Sequence, residues 1–253
     1  MEAWLEFGRG PLFRFAFAVM ILGLLRILVL TLLQMGEALL RAPDKKMPWA
    51  DLAKTTLTWL VPVIGLWRQR PVYSAVSFLF HVGLILVPLL LPAHILLWES
   101  GAGIRWPGLP QAAADVLTAA TIVTALGLFF GRALHRGARA LSRRQDYAWP
   151  LILSTPFATG FVCANASISP GLYARMMLVH VYSANLIMVL IPFTKIAHCV
   201  LLPLARFAGG LAWKFPVGGG QRIAATLGYG DRPTWVERPR LATDRISVPT
   251  EEV

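Results

Sequence analysis

The chain has 253 residues, of which 56% are hydrophobic and 15% are charged, and its mean hydropathy is +0.60. Soluble domains carry about 25% charged residues, so this composition excludes an ordinary soluble globular protein. The formal net charge of +11 is carried mostly by the segments between apolar stretches, which indicates membrane topology rather than nucleic-acid binding.

Five apolar segments follow one another along the chain, and each is near the roughly 20 residues that cross a 30 Å hydrocarbon core. They cover residues of about 11–36, 74–98, 112–132, 148–167 and 172–205. The sequence therefore predicts an all-α membrane protein, with a bundle of five transmembrane helices in residues 1–206. Residues 207–253 are polar and rich in Gly and Pro, which predicts an extended tail that docks on a partner.

Basic residues fix the predicted orientation. They are concentrated in the loop between the first two segments, in the loop between the third and fourth, and in the tail, as in Arg68, Arg70, Arg139, Arg143 and Arg222. By the positive-inside rule these parts face the cytoplasm, so the N-terminus lies outside. We expect a multi-pass protein of the cytoplasmic membrane with a cytoplasmic C-terminal tail.

Four of the five histidines fall inside predicted membrane segments, where ionisable residues are rare. His180 and His198 are 18 residues apart, which is five helical turns, so they share one helix face about 27 Å apart. His81 and His94, on the second segment, are about 20 Å apart along its axis. Because the second and fifth segments run antiparallel, His81 is expected to pair with His198 on the cytoplasmic side, and His94 with His180 on the outer side.

Two facing imidazoles at each of two depths are the ligands that two stacked b-type haems require. A zinc site would cluster its ligands, and a proton relay would favour carboxylates. No C-x-x-C-H motif is present, which predicts non-covalent haem, and Cys163 and Cys199 are expected as small core residues without a disulfide. The alternative is a haem-free membrane anchor or transporter whose histidines only form interhelical hydrogen bonds.

Three stretches resemble a known family: "FLFHVG" around His81, "LVH" at His180, and "IPFTKIAH" ending at His198. They are similar to the dihaem cytochrome b gamma subunit of respiratory nitrate reductases and to related membrane cytochromes of sulfur-metabolising redox complexes. The resemblance implies a quinol-oxidising electron-transfer subunit of an oxidoreductase complex. Quinol would be oxidised near the outer haem, and electrons would pass to the inner haem and then to iron–sulfur and catalytic partner subunits on the cytoplasmic side. An alternative is electron exchange with a periplasmic cytochrome c.

The spacing of the two histidines in the second segment departs from the nitrate reductase branch, where they lie closer together. Here they are 13 residues apart, which leaves them roughly 140° apart around an ideal helix. Pro88 and Pro92 lie between them and can kink the helix, so that its outer half turns. The offset favours the sulfur-complex branch. If His94 is not a ligand, the chain holds one haem or uses Met176 or Met177 instead.

Charged residues suggest further roles. Lys195, one turn before the last histidine, either pairs with a propionate of the inner haem or extends to the headgroups. Arg26, midway along the first segment, needs a partner, either a propionate or an interhelical group. Near the outer end, Glu99, Arg105 and Asp115 are candidates for the quinol site or are simply solvated.

Overall fold

The computed structural model describes residues 1–40, 49–60 and 70–212, and within these residues all regular structure is helical. Ten α-helices occur in these ranges: α1 (Glu2–Arg9), α2 (Pro11–Leu40), α3 (Trp49–Leu60), α4 (Pro71–Leu90), α5 (Pro92–Ala102), α6 (Gln111–Leu134), α7 (Arg136–Leu141), α8 (Arg144–Asn165), α9 (Pro170–Leu190) and α10 (His198–Ala212). Two 3-10 turns, Ile191–Phe193 and Lys195–Ala197, separate α9 from α10.

Five helical segments of the described chain are long and apolar enough to cross a membrane: Glu2–Leu40, Pro71–Leu90, Gln111–Leu134, Arg144–Asn165 and Pro170–Phe193. The expectation of an all-α multi-pass membrane protein is therefore confirmed. The predicted docking tail lies almost wholly outside the described residues, which end at position 212.

Four of these helices surround a small core. α4 packs on α6, α6 on α8, and α8 on α9, while α1 and α2 lie along α9. The core cluster takes one buried side chain from each of the four: Phe80, Ala125, Leu153 and Ile187. Among the described residues α4 and α9 share no extended interface. The two helices that carry His81 and His180 are therefore not packed directly against each other.

A glycine allows α4 to approach α6 closely. A Cβ atom at Gly83 would overlap the hydroxyl of Thr121, so a larger residue does not fit there. Thr121 is fully buried, and its hydroxyl donates to the carbonyl of Leu117 in its own helix at 2.6 Å. The contact brings together a small residue and a satisfied hydroxyl, as is common between membrane helices.

The predicted second segment, residues 74–98, is not one helix. α4 ends at Leu90, Leu91 is extended (φ −70°, ψ 125°), and α5 begins at Pro92. The reason is that Pro92 has no N–H to donate to the carbonyl of Pro88 and its ring would collide with that carbonyl. The break leaves carbonyls that need other donors, because an unsatisfied carbonyl in a membrane is costly.

Each of the three freed carbonyls has a new donor. Pro88 O accepts from His94 Nδ1 (3.2 Å), Leu89 O from Trp106 Nε1 (2.8 Å), and Leu90 O from the backbone N–H of Leu109 (2.8 Å). The loop after α5 thus folds back onto the break and fixes it.

The predicted fifth segment, residues 172–205, is also wrong as a continuous helix. α9 ends at Leu190, Thr194 is extended (φ −129°, ψ −178°), and α10 begins at His198. Pro192 cannot continue the ladder of hydrogen bonds, and the Thr194 hydroxyl accepts the N–H of Ile196 at 3.4 Å. The axial distance of 27 Å expected for an unbroken helix therefore does not apply. The other three predicted segments differ from the observed helices by no more than four residues at either end.

Candidate functional site

Four histidines form two facing pairs. His81 of α4 faces His198 at the start of α10, with ring centroids 6.0 Å apart and ring planes at 86°. His94 of α5 faces His180 of α9, also at 6.0 Å, with planes at 17°. We call these the α4/α10 pair and the α5/α9 pair. The structure thus brings together the residues that the antiparallel arrangement predicts to be partners.

All four imidazoles are held in the same way. Each Nδ1 lies within hydrogen-bonding distance of a backbone carbonyl: His81 with Ser77 O (2.7 Å), His94 with Pro88 O (3.2 Å), His180 with Pro156 O (2.7 Å) and His198 with Lys195 O (2.8 Å). A carbonyl can only accept, so each Nδ1 carries a proton, and in the neutral form of the ring the lone pair is on Nε2. Within the described residues none of the four Nε2 atoms has a hydrogen-bond partner.

This tautomer is the one that a metal-bound histidine needs, because the carbonyl orients the ring and makes Nε2 more basic. Two metal–imidazole bonds of about 2 Å each, placed in line, put the ring centroids roughly 6 Å apart. The observed 6.0 Å separations match that arrangement in both pairs. The donor chemistry and the spacing therefore fit an iron between each pair of rings.

The four rings are only partly enclosed by the described protein. α4 and α9 share no extended interface in the described chain, and three of the four rings are half-buried while His198 is exposed. No group of three or more His, Cys, Asp and Glu side chains suited to a metal ion occurs among the described residues. Haem needs only two protein ligands, because the porphyrin supplies the other four, whereas a protein zinc site usually needs three or four.

His180 is fixed by the neighbouring helix. Its Nδ1 donates to Pro156 O of α8, so this hydrogen bond crosses between two helices. A Cβ atom built on Gly160, one turn further along α8, would lie 2.9 Å from both Cε1 and Nδ1 of the ring. Glycine at this position leaves room for the imidazole.

His94 reaches His180 because of the break in the second segment. On an unbroken helix His94 would point roughly 140° away from His81. Since Leu91 is extended and α5 starts afresh at Pro92, the ideal-helix offset no longer applies. The structure places His94 beside His180, and it offers no reason to replace it by Met176 or Met177.

Of the two predicted propionate partners, Lys195 has an ion-pair partner in the described protein and Arg26 has none. Lys195 Nζ lies 2.6 Å from Asp146 Oδ1, so it has a partner within the protein that the sequence analysis did not identify. Arg26 is exposed on α2 and has no ion pair or hydrogen bond in the described part of the chain. Its pairing with a propionate or an interhelical group stays a prediction.

The three candidates for the quinol site fall into two groups. Arg105 Nη1 lies 3.4 Å from Glu99 Oε1, and both side chains are exposed. Asp115 instead accepts from Gln111 Nε2 at 2.9 Å and from Asn165 Nδ2 at 3.1 Å. The structure joins Glu99 with Arg105 and ties Asp115 to the end of α8.

The first helix, α1, was not predicted as part of the site's surroundings. Asn185 Nδ2 donates to Gly8 O at 2.9 Å, and Tyr182 OH donates to Trp4 O at 3.1 Å, so α1 is attached to α9. A run of eight helical residues before an apolar span was the available signal, but its packing partner was not predictable from spacing.

The remaining candidates have simpler explanations. His135 lies between α6 and α7, where its Nδ1 accepts the N–H of Ala138 at 3.2 Å and caps α7. Cys163 and Cys199 are free, as expected, but Cys163 is half-buried and Cys199 is exposed, so the expectation that both lie in the core is wrong.

Comparison with known proteins identifies a relative in Nitratidesulfovibrio vulgaris strain Hildenborough that bears only the name "Protein". The two are 34% identical over 170 residues, which cover 67% of this chain and 74% of the relative. No protein-family profile and no solved structure matches the chain. The extent and level of identity show that this chain and the Nitratidesulfovibrio vulgaris protein belong to the same family.

Proposed function

We propose that the chain is the membrane cytochrome b subunit of a respiratory oxidoreductase complex, with two haem b groups. The observation that carries the proposal is a pair of neighbouring imidazoles at each of two places. Each ring has its Nδ1 bound to a carbonyl, and its Nε2 has no partner among the residues that the structure describes. Four histidines kept in the same tautomer and spaced for an intervening iron are difficult to explain as separate packing residues.

The chain's own residues would contribute binding, orientation and an apolar surrounding. Nε2 of His81 and His198 would bind one iron, and Nε2 of His94 and His180 the other. When bound, the two haems would carry single electrons between the two sides of the membrane. The helices together with the bilayer would limit the access of water to the rings and would thereby help to set the reduction potentials. Asp146 already holds Lys195, so a propionate near this ammonium would share it with that carboxylate.

The orientation and the partners belong to the same proposal. The basic loops support an outer N-terminus and a cytoplasmic tail in the cytoplasmic membrane. Quinol would then deliver electrons near the α5/α9 pair, where the Glu99–Arg105 ion pair and Asp115 could exchange protons. Electrons would leave from the α4/α10 pair to an iron–sulfur subunit on the cytoplasmic side. The resemblance to the nitrate reductase gamma subunit and to sulfur-complex cytochromes supports this direction.

The alternative, a haem-free anchor or transporter, predicts different hydrogen bonds for the histidines. If the rings only joined helices by hydrogen bonds, their second nitrogens would be expected to have partners on facing helices. In the described residues His180 bonds to α8 and His94 bonds to the end of α4, and both do so through Nδ1 and not Nε2. The pairs of Nε2 atoms without partners therefore favour ligation over simple packing.

Reduction by quinol tests the proposal. Purified protein in detergent is mixed with a reduced quinol analogue, and the visible α band of haem b is followed. We expect the band to appear and a competing quinol-site inhibitor to suppress it. If the protein has the haem spectrum but reduced cytochrome c and not quinol reduces it, the assignment to the quinone pool is wrong. A protein with no α band even after dithionite would contradict the whole proposal.

A further inference from the structure

Asp146 joins three helical elements on the side of the molecule that holds His198. It is the third residue of α8, and its Oδ2 accepts the backbone N–H of Arg143 at 2.8 Å, which caps the helix. Its backbone carbonyl accepts from Arg132 Nη1 of α6 at 2.6 Å. Its Oδ1 accepts from Lys195 Nζ, at 2.6 Å, in the second 3-10 turn. The Asp146 side chain is 16% exposed, so most of it is enclosed by these contacts.

Lys195 connects this carboxylate to the ring of His198. The carbonyl of Lys195 accepts from His198 Nδ1 at 2.8 Å and also receives the backbone N–H of the same histidine. The connection thus runs from α8 through the Asp146 carboxylate and the Lys195 ammonium to the Lys195 carbonyl and the imidazole. Lys195 makes both contacts: its ammonium bonds to Asp146, and its carbonyl bonds to the His198 ring.

The turn that carries Lys195 packs Ile196 against the core cluster and buries Ala197, and its polar link to α8 is the ion pair of Lys195. The turn is only three residues long, and the extended Thr194 separates it from the hydrogen bonds of α9. A rotation at Thr194 would move the turn and the ring together, because the carbonyl and the ring are bound to each other. From outside the turn, the ion pair to α8 opposes such a rotation together with the packing of Ile196 on the core cluster.

We propose that Asp146 is a positioning residue for His198. By holding Lys195, it fixes the ring at its 6.0 Å separation and 86° angle to His81. Groups that orient a ligand through hydrogen bonds typically change metal affinity by about 10- to 100-fold when removed. The inference rests on the proposed function for the iron that His198 would bind.

A substitution can separate this role from helix capping. Asp146→Asn leaves an amide oxygen that can accept the Arg143 N–H, as Gln can replace Glu at the third position of a capping box, and it leaves the backbone carbonyl for Arg132. It removes the negative charge that holds the ammonium. Lys195→Met removes the other member and leaves the carboxylate cap in place. Both changes release the turn, but they alter the net charge in opposite directions.

The experiment is a redox titration with electron paramagnetic resonance on the purified wild type, the two single variants, the double variant and the charge-exchanged D146K/K195D variant. We expect both single variants to change the signal of the α4/α10 haem in the same way and to weaken its binding at least roughly tenfold. The α5/α9 signal should not change. The double variant should match either single variant, because the two residues act through one contact. Charge exchange should restore part of the original signal.

Arg139→Gln, an exposed charge change on α7, serves as the control and should alter neither haem.

Several results would overturn the proposal. A charge effect through space would move the potential in opposite directions in the two single variants and cancel in the double variant. A role in folding alone would weaken both haems equally. An unchanged α4/α10 signal in Asp146→Asn would show that the ion pair does not hold the ring. A wild-type protein without haem would instead refute the proposed function, and this is seen before any variant is made.

Discussion

Substitution of Gly160 tests whether the close packing of α8 around the His180 ring positions the α5/α9 pair. In Gly160→Ala the new Cβ would lie 2.9 Å from two atoms of the His180 ring, about 0.5 Å closer than an ordinary contact of 3.4 Å. The ring cannot simply retreat, because its Nδ1 is bonded to Pro156 O at 2.7 Å and its other side faces His94. A displacement of this size is comparable to the tolerance of about 0.5 Å for a functional ligand.

The cost of adding one methyl group to a tightly packed site is about 1–3 kcal/mol. Taken entirely from haem binding at the α5/α9 pair, that cost corresponds to a roughly 5- to 150-fold loss of affinity. The α4/α10 pair does not contact Gly160, so its haem should remain. We therefore expect the haem-to-protein ratio of the variant to fall from two towards one.

The assay is the haem-to-protein ratio of the purified variant, followed by a redox titration to identify which component is lost. Gly131→Ala is the matched control, because it adds the same methyl group to a helix and meets no atom within 4 Å. It should keep both haems. If Gly160→Ala also kept both haems with unchanged potentials, the close fit of α8 around His180 would be refuted.

Three further predictions follow from other contacts. Trp106→Phe removes the donor to Leu89 O at the helix break, so we expect about 1 kcal/mol lower stability and earlier loss of the α5/α9 haem on heating in detergent; unchanged thermal loss would contradict this. The ring planes at 86° and 17° predict two different low-spin ferric signals in electron paramagnetic resonance. The α4/α10 haem should give the larger g anisotropy, because perpendicular ligand rings leave two iron d orbitals close in energy. Two identical signals would argue against these angles. Truncation after Ala212 should retain both haems but release the iron–sulfur partner in co-purification, and a partner bound at full stoichiometry would show that it docks elsewhere.

The pairing of the histidines was predicted correctly from the sequence, but the helix geometry used for it was only partly right. The membrane segments and their antiparallel order were readable from hydropathy, and these alone place His81 near His198 and His94 near His180. The axial distances were calculated for continuous helices, with a kink expected only at Pro88 and Pro92, and both segments are broken. The pairing holds because depth in the membrane is set by the order of the segments, whereas the direction of each ring is set by local breaks.

The sequence indicated the break in the second segment more clearly than the break in the fifth. Pro88 and Pro92 indicated a kink in the second segment, and the structure has a full break at Leu91. Pro192 followed by Thr194 carried a similar signal in the fifth segment, a proline and then a capping residue, which the apolar run concealed. Both lie where a histidine must be turned towards its partner.

Contacts between distant parts of the chain could not be predicted. Lys195 was expected to meet a propionate or the headgroups, because nothing in its neighbourhood of the sequence identifies Asp146, which is 49 residues away. In the same way, Gly8 and Asn185 are joined across 177 residues. Such pairs depend on which helix faces rotate towards each other, and an apolar segment that is hydrophobic on all sides does not encode that rotation in its periodicity.

The haem content of the purified wild-type protein tests the central claim most directly. Protein extracted from membranes in mild detergent is converted to the pyridine haemochrome, and the haem concentration is divided by the protein concentration. The two histidine pairs predict two haem b per chain, removable by acidified acetone because neither is covalently attached. A ratio of one would contradict the α5/α9 site or the α4/α10 site, and a ratio of zero would contradict the assignment of all four histidines as ligands.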